Sequence, residues 1–178
     1  VAAGQVVISH EHKTHAYGRM ALGVLFGGVA VLGMVNPFVF LPGVIFDGRT
    51  IVLAVAGVVG GGLTATIAAG MAAIYRYQIG GPGVVVGMSV AILSATLGVL
   101  ARSWWQRREG MPRWFEYAAL GVVVQLMQLA AFTQIPNRAG YGFIEQAWWV
   151  LLLFYPLATM LLCMMFRNFE QQRLDKAA

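Results

Sequence analysis

Long apolar runs alternate with short polar connections along most of the chain. The first run covers about Arg19 to Val35 and stops at Asn36-Pro37, where proline lacks an N–H and blocks helix continuation. A second apolar region extends from Thr50 to about Tyr77. Three more cover Val84–Ala101, Phe115–Phe132 and Gln146–Phe166. Each of these last three is long enough to cross a hydrocarbon core of about 30 Å as a helix. The pattern predicts an all-α, polytopic membrane protein with five to six transmembrane segments.

The segment number turns on the second region. As one helix, Thr50 to Ala73 crosses the bilayer. Yet Gly60-Gly61-Gly62 lies in its middle, and three successive glycines make a poor helix interior. The alternative is a short or broken second helix, with limbs over 50–59 and 63–75 and the glycines as the turn. Charge bears on the choice. With one helix, Arg49, Arg102, Arg107, Arg108, Arg113, Arg167, Arg173 and Lys176 share the C-terminal side, against Lys13, Arg19, Arg76 and Arg138. With two, Lys13 and Arg19 join the C-terminal side, leaving Arg49, Arg76 and Arg138 opposite. Both arrangements place the C-terminus and the Arg102–Arg113 connection in the cytoplasm by the positive-inside rule. The two-limb reading is preferred, because it also sets Arg49 and Arg76 on one face.

Composition agrees with a membrane class. Apolar residues make up 59% of the chain and charged residues 11%, with a mean hydropathy of +0.72. A soluble domain carries about 25% charge. The net charge of +5 fits basic residues flanking membrane helices, and no basic run interleaved with aromatics suggests nucleic acid. Residues 1–18 read as a polar leader or linker, 19–166 as the transmembrane domain, and 167–178 as the start of a cytoplasmic signalling helix. The leader carries His10, His12 and His15, but a flexible charged segment without further ligands predicts no metal site. Val1 reads as the interior of a longer chain. No nucleophile–base set, phosphate loop or acid/base carboxylate pair is present, so no catalysis and no cofactor are expected.

The insert Asn36–Arg49 holds two prolines, Asp47 and Arg49 at a membrane boundary, where charge is costly and marks function. Arg49 and Arg76 on one face would clamp a small carboxylate or phosphate; alternatively each snorkels to headgroups. Asp47 pairs with one of them or caps the helix at Thr50. A pocket is expected from Asn36–Arg49, Arg76–Gly81 and the glutamine face of the fourth long run. It would include Asn36, Phe46, Asp47, Arg49, Arg76, Gln78, Gln125 and Gln128 as ligand-binding residues. The alternative for Gln125 and Gln128 is interhelical hydrogen bonding. Glu145 is placed at the start of the last helix. Trp104, Trp105, Trp114, Trp148 and Trp149 are expected as interfacial anchors.

The strings Asn36-Pro37, Pro42-Gly43-Val-Ile-Phe46-Asp47-Gly48-Arg49, Arg76-Tyr-Gln-Ile-Gly80-Gly81 and Phe154-Tyr155-Pro156 together resemble the LytS-type five-transmembrane sensor receptors (5TMR-LYT). The resemblance spans about Arg19 to Arg173. It implies the ligand-binding input domain of a bacterial signal-transduction protein in the inner membrane. Such a domain takes a small molecule from the outer side, anionic if the arginines bind it. It passes a displacement of the last helix to a cytoplasmic histidine kinase or diguanylate cyclase domain in the same polypeptide. Signalling through that helix suggests a homodimer. At the level of fold the pattern is also similar to energy-coupling-factor substrate-binding subunits, which makes a substrate-binding subunit of a small-solute or vitamin transporter the alternative. For that alternative, the small-residue stripe Ala65–Ala69–Ala73 would supply a docking surface.

Overall fold

A computed structural model describes the backbone of residues 2–35, 38–41, 44–46, 48–81, 83–108, 111–135 and 139–177. Side chains are described for 16–35, 48–81, 83–108, 111–135, 141–142, 144–145, 148–169, 171–172 and 175–176. The elements in order are α1 (Ala2–Val35), β1 (Phe38–Leu41), β2 (Val44–Phe46), α2 (Arg49–Ile79), α3 (Val84–Gln106), α4 (Trp114–Phe132) and α5 (Ala139–Ala177). Five helices are long and apolar enough to cross a membrane, as the apolar runs require. α1 starts well before the apolar run, so the polar leader is helical and continuous with the first span.

The insert contains an element that the hydrophobic pattern did not announce. β1 and β2 pair as an antiparallel hairpin, with Phe38 opposite Phe46 and Val39 opposite Ile45. Periodicity is a weak guide over three or four residues. The hairpin lets the two strands satisfy each other's backbone groups, and β2 packs against α5.

α2 is the centre of the bundle and is not one straight helix. Gly61 has φ +73° and ψ −162°, outside the helical region. Only glycine takes that conformation without strain, because it has no Cβ. The contacts on either side show that the chain reverses there. In the first limb, Gly57 and Ala54 cross Gly98 of α3, and the carbonyls of Val58 and Val59 meet Arg102. Thr50, at the limb's start, meets Gln125, deep in α4. In the second limb the order runs back. The Thr64 hydroxyl donates to the carbonyl of Arg19 at 2.9 Å, Ile67 faces Gly23, Met71 faces Gly27, and Arg76 lies over Gly87 near the start of α3. Gly61 therefore sits at the end of the molecule that holds Arg19, Arg102 and Arg108. Arg49 and Arg76 both lie towards the other end.

One arginine holds the turn. Arg102 Nη1 donates to the carbonyls of Val58 and Val59, each at 2.6 Å. These are among the carbonyls a helix leaves unpaired at its C-terminal end. A cation there also suits the negative end of the helix dipole. The crossing beside it depends on small residues. A Cβ on Gly57 would stand 2.6 Å from the Ala95 carbonyl oxygen, so the α2 and α3 backbones touch directly.

Pro156 lies inside α5, where it removes one backbone hydrogen bond, and packs on Gly121 of α4. α5 begins at Ala139, so Glu145 lies within the helix and not at its start; its side chain is exposed. Trp104 and Trp114 are exposed near helix ends, and Trp148 and Trp149 are exposed within α5 where its apolar span begins, but Trp105 is buried (7% exposed) and packs edge-on against Tyr117 at 5.1 Å. Trp105 is thus a packing residue between α3 and α4, because the glycine-lined approach of α3 to α2 turns that helix face inward.

We predict that Gly61→Ala lowers the thermal unfolding midpoint in detergent, by the equivalent of about 1–3 kcal/mol. The added methyl would lie 3.6 Å from Arg102 Nε, an ordinary contact, so only backbone conformation opposes it. Arg102→Gln should act on the same turn, and the double variant should lose less than the two losses combined. An unchanged midpoint for Gly61→Ala would show that the reversal is not required.

Candidate functional site

The reversal brings the start of α2 and the end of its second limb towards the same end of the bundle. Arg49 lies twelve residues before Gly61 and Arg76 fifteen after it. At 1.5 Å per residue these are about 18 Å and 22 Å along the two limbs. The first limb is therefore too short to cross a core of about 30 Å. Irregular backbone at that depth is tolerated only against protein or a water-filled space.

Arg49 is partly buried, and its Nη1 lies 3.2 Å from Met34 Sδ at the end of α1. Arg76 is also partly buried. Its Nη1 donates to the carbonyl of Gly80 at 2.8 Å, and its stem crosses Gly87. That bond closes the tight turn Gly80–Gly81, whose glycines have φ +74° and +90°. Both arginines make further interactions in the fold.

The fourth apolar run contributes the buried polar groups. Gln125 is fully buried and Gln128 is 5% exposed. Three residues apart, they share one face of α4. Gln125 Nε2 donates to the Thr50 hydroxyl at 3.3 Å, which joins α4 to the start of α2 beside Arg49. The other end of each amide is different: Gln125 Oε1 and Gln128 Oε1 are sealed from solvent and have no hydrogen-bond partner among the described residues. A buried acceptor without a partner costs about 1–3 kcal/mol. An amide flip would exchange oxygen for nitrogen at Gln125 and still leave one polar end without a donor or acceptor opposite.

Of the residues expected at the site, the structure joins Gln125 to Thr50, the residue after Arg49, and Gln128 lies one turn further along α4; Arg49 itself reaches Met34 of α1. Arg76 lies towards the same end, at the neighbouring turn. Gln78 is exposed at the end of α2. Phe46 is the last residue of β2, opposite Phe38. Asn36 and Asp47 lie outside the described residues. Thr50 was missed by sequence reasoning, which treated it only as the position that Asp47 would cap; its hydroxyl is fully buried. Arg102 was read as a basic residue of a cytoplasmic connection and is instead the cap of the reversal. Its place one residue beyond an apolar run was the only available signal.

Two cavities, of about 760 and 370 Å³, lie at the opposite end. Neither is lined by Arg49, Arg76, Gln125 or Gln128.

A family model described as the 5TMR of 5TMR-LYT matches residues 4–169, nearly the whole chain. No curated protein and no solved structure matches the chain.

Because its buried carbonyl has no partner, Gln128→Met should raise the unfolding midpoint of the ligand-free domain, by the equivalent of about 1 kcal/mol. Gln125→Met should gain less, since it also strips Thr50 of its partner. Loss of stability in Gln128→Met would reveal that the oxygen is already satisfied by an ordered water.

Proposed function

The chain belongs to the five-transmembrane receptors of the 5TMR-LYT family, and from that premise we propose that it is the input domain of a bacterial signalling protein. It binds a small anion from the side of the membrane that carries Arg49 and Arg76. The observation that carries this reading is the arrangement of one end of the bundle. Arg49 precedes Thr50, whose hydroxyl holds one of two buried amides of α4, and Arg76 stands towards the same end of the bundle. The start of α2 adds the positive end of a helix dipole, which favours anions. Unpartnered glutamine oxygens favour a donor on the same molecule. A small hydroxylated carboxylate or phosphate ester meets both demands.

Orientation follows from charge. With the reversal at Gly61, Lys13, Arg19, Arg102, Arg107, Arg108, Arg113, Arg167, Arg173 and Lys176 fall on the C-terminal side, and Arg49, Arg76 and Arg138 on the other. The bias supports a cytoplasmic C-terminus and an outward ligand site in the inner membrane. The output then runs along α5, past Pro156, through the helix that continues to Ala177, and into a kinase or diguanylate cyclase domain. Dimerisation through that helix fits this output.

A transporter subunit is the weaker reading. The stripe Ala65–Ala69–Ala73, which would have docked a partner, is buried inside this chain at 4–7% exposure.

A thermal-shift screen of small carboxylates and phosphates against the purified domain tests the ligand. A stabilising compound should lose most of its effect in Arg49→Lys and Arg76→Lys, since lysine lacks the planar two-point contact. Equal binding to Arg49→Ala and Arg76→Ala would sink the assignment. Cysteine labelling of Arg49→Cys and Arg76→Cys in a Cys163→Ser background should proceed from the outer side for both. Labelling from opposite sides would overturn the topology.

A further inference from the structure

The end of the bundle near Gly61 carries a second set of polar groups that the ligand site does not use. The smaller cavity there is lined by Arg102, Arg108, Arg167, Trp105 and Tyr117. Two of its lining residues hold N–H donors that are sealed from solvent and have no hydrogen-bond partner among the described residues: Trp105 Nε1 and Arg167 Nε. Their need is opposite to that of the glutamines. A buried donor wants an acceptor, and beside arginines the acceptor that satisfies both charge and hydrogen bonding is an oxyanion.

The existing partners leave room for one. Arg102 spends Nη1 on the carbonyls of the reversal. Arg167 Nη1 donates to the carbonyl of Pro112 at 3.1 Å, and its guanidinium carbon stands 6.0 Å from the Tyr117 ring. Arg108 pairs with Glu116 at 2.8 Å and stacks on Trp104 at 3.4 Å. Glu116 is the one carboxylate among the described residues lining either cavity, and Arg113 adds a fourth arginine. The surplus is positive.

The larger cavity adjoins it, sharing Trp105, Arg108, Met111 and Pro112 as a common wall. It is a groove between α3 and α4 lined by Leu97, Leu100, Phe115, Leu120 and Val123. Leu100, Phe115 and Val123 are exposed on the outside of the bundle, where acyl chains run. The two adjoining cavities thus set an apolar wall on the outside of the bundle beside a cationic lining, near the exposed Trp104 and Trp114. Soluble anions would fill only the cationic part. Basic pockets between helices at a membrane boundary hold lipid headgroups.

We propose that this space binds one anionic phospholipid. Its phosphate accepts from Arg167 Nε and Trp105 Nε1 beside Arg102, and an acyl chain lies in the α3–α4 groove. The bound lipid ties α3, the connection before α4, and α5 together at the point where α5 leaves the bundle. The site is separate from the Arg49–Gln125 cluster and stands whether or not that cluster binds a ligand.

Native mass spectrometry of the purified domain in neutral detergent, with added phosphatidylglycerol or phosphatidylcholine, tests this. Wild type should retain one phosphatidylglycerol in preference to phosphatidylcholine. Arg167→Gln and Trp105→Phe, which removes the indole N–H, should each lower retention about five- to tenfold. Arg107→Gln, which removes an exposed charge lining neither cavity, should leave it unchanged. Equal retention of the two lipids, or an equal loss in Arg107→Gln, would overturn the site in favour of general surface charge. Displacement of the lipid by excess inorganic phosphate would overturn it in favour of a soluble anion.

Discussion

The fold depends on a single capped reversal. A helix that turns back inside a membrane strands its last carbonyls in a medium without water, at a cost of several kcal/mol each. Arg102 reaches across from α3 and takes two of them, while Gly61 supplies a backbone conformation closed to other residues. Neither device suffices alone. The turn without the arginine leaves buried acceptors, and the arginine without the turn is a charge beside apolar helices. Because α2 folds on itself, it presents contact surface to α1, α3, α4 and α5. The apolar window of α2 is 61% buried, against about a third for the other spans.

That reversal also divides the molecule chemically. One end gathers Arg49, Arg76 and two amides with unpartnered oxygens. The other gathers Arg102, Arg108 and Arg167 with unpartnered nitrogens. α2, α3 and α4 each reach both. A shift at the start of α2 is carried to its turn over about 18 Å of helix. There the turn meets Arg102, close to where α5 leaves the bundle. Tight glycine contacts, such as Gly57 on Ala95 and Gly121 on Pro156, make the helices move as packed bodies. For the function proposed above, this would give a physical route from an outer ligand to the last helix.

Much of the architecture was legible in the sequence because bilayer thickness imposes a length on every apolar run. The five spans, the break at the triple glycine and the charge bias all follow from local composition. The positions of Arg49 and Arg76 at one end followed from adding the glycine break to that bias. The hairpin was not legible. Phe38–Leu41 and Val44–Phe46 are too short for periodicity to distinguish from loop, and their pairing is decided by what α1 and α5 leave open.

The candidate site was legible only as a set of residue types. Sequence placed Gln125 and Gln128 on one face of a helix, since spacing of three fixes that. It could not say that Thr50 would meet Gln125 across 75 positions, or that the outer ends of both amides would be left without partners. Nor could it separate Trp105 from the interfacial tryptophans, or Arg102 from the arginines of the following connection. The sequence by itself determined the membrane class, the spans and the place where the chain must turn, because these are set by hydrophobic length and glycine chemistry. Only the tertiary structure decided which polar groups find partners and which stay unpaired, because pairing depends on how neighbouring helices rotate and cross.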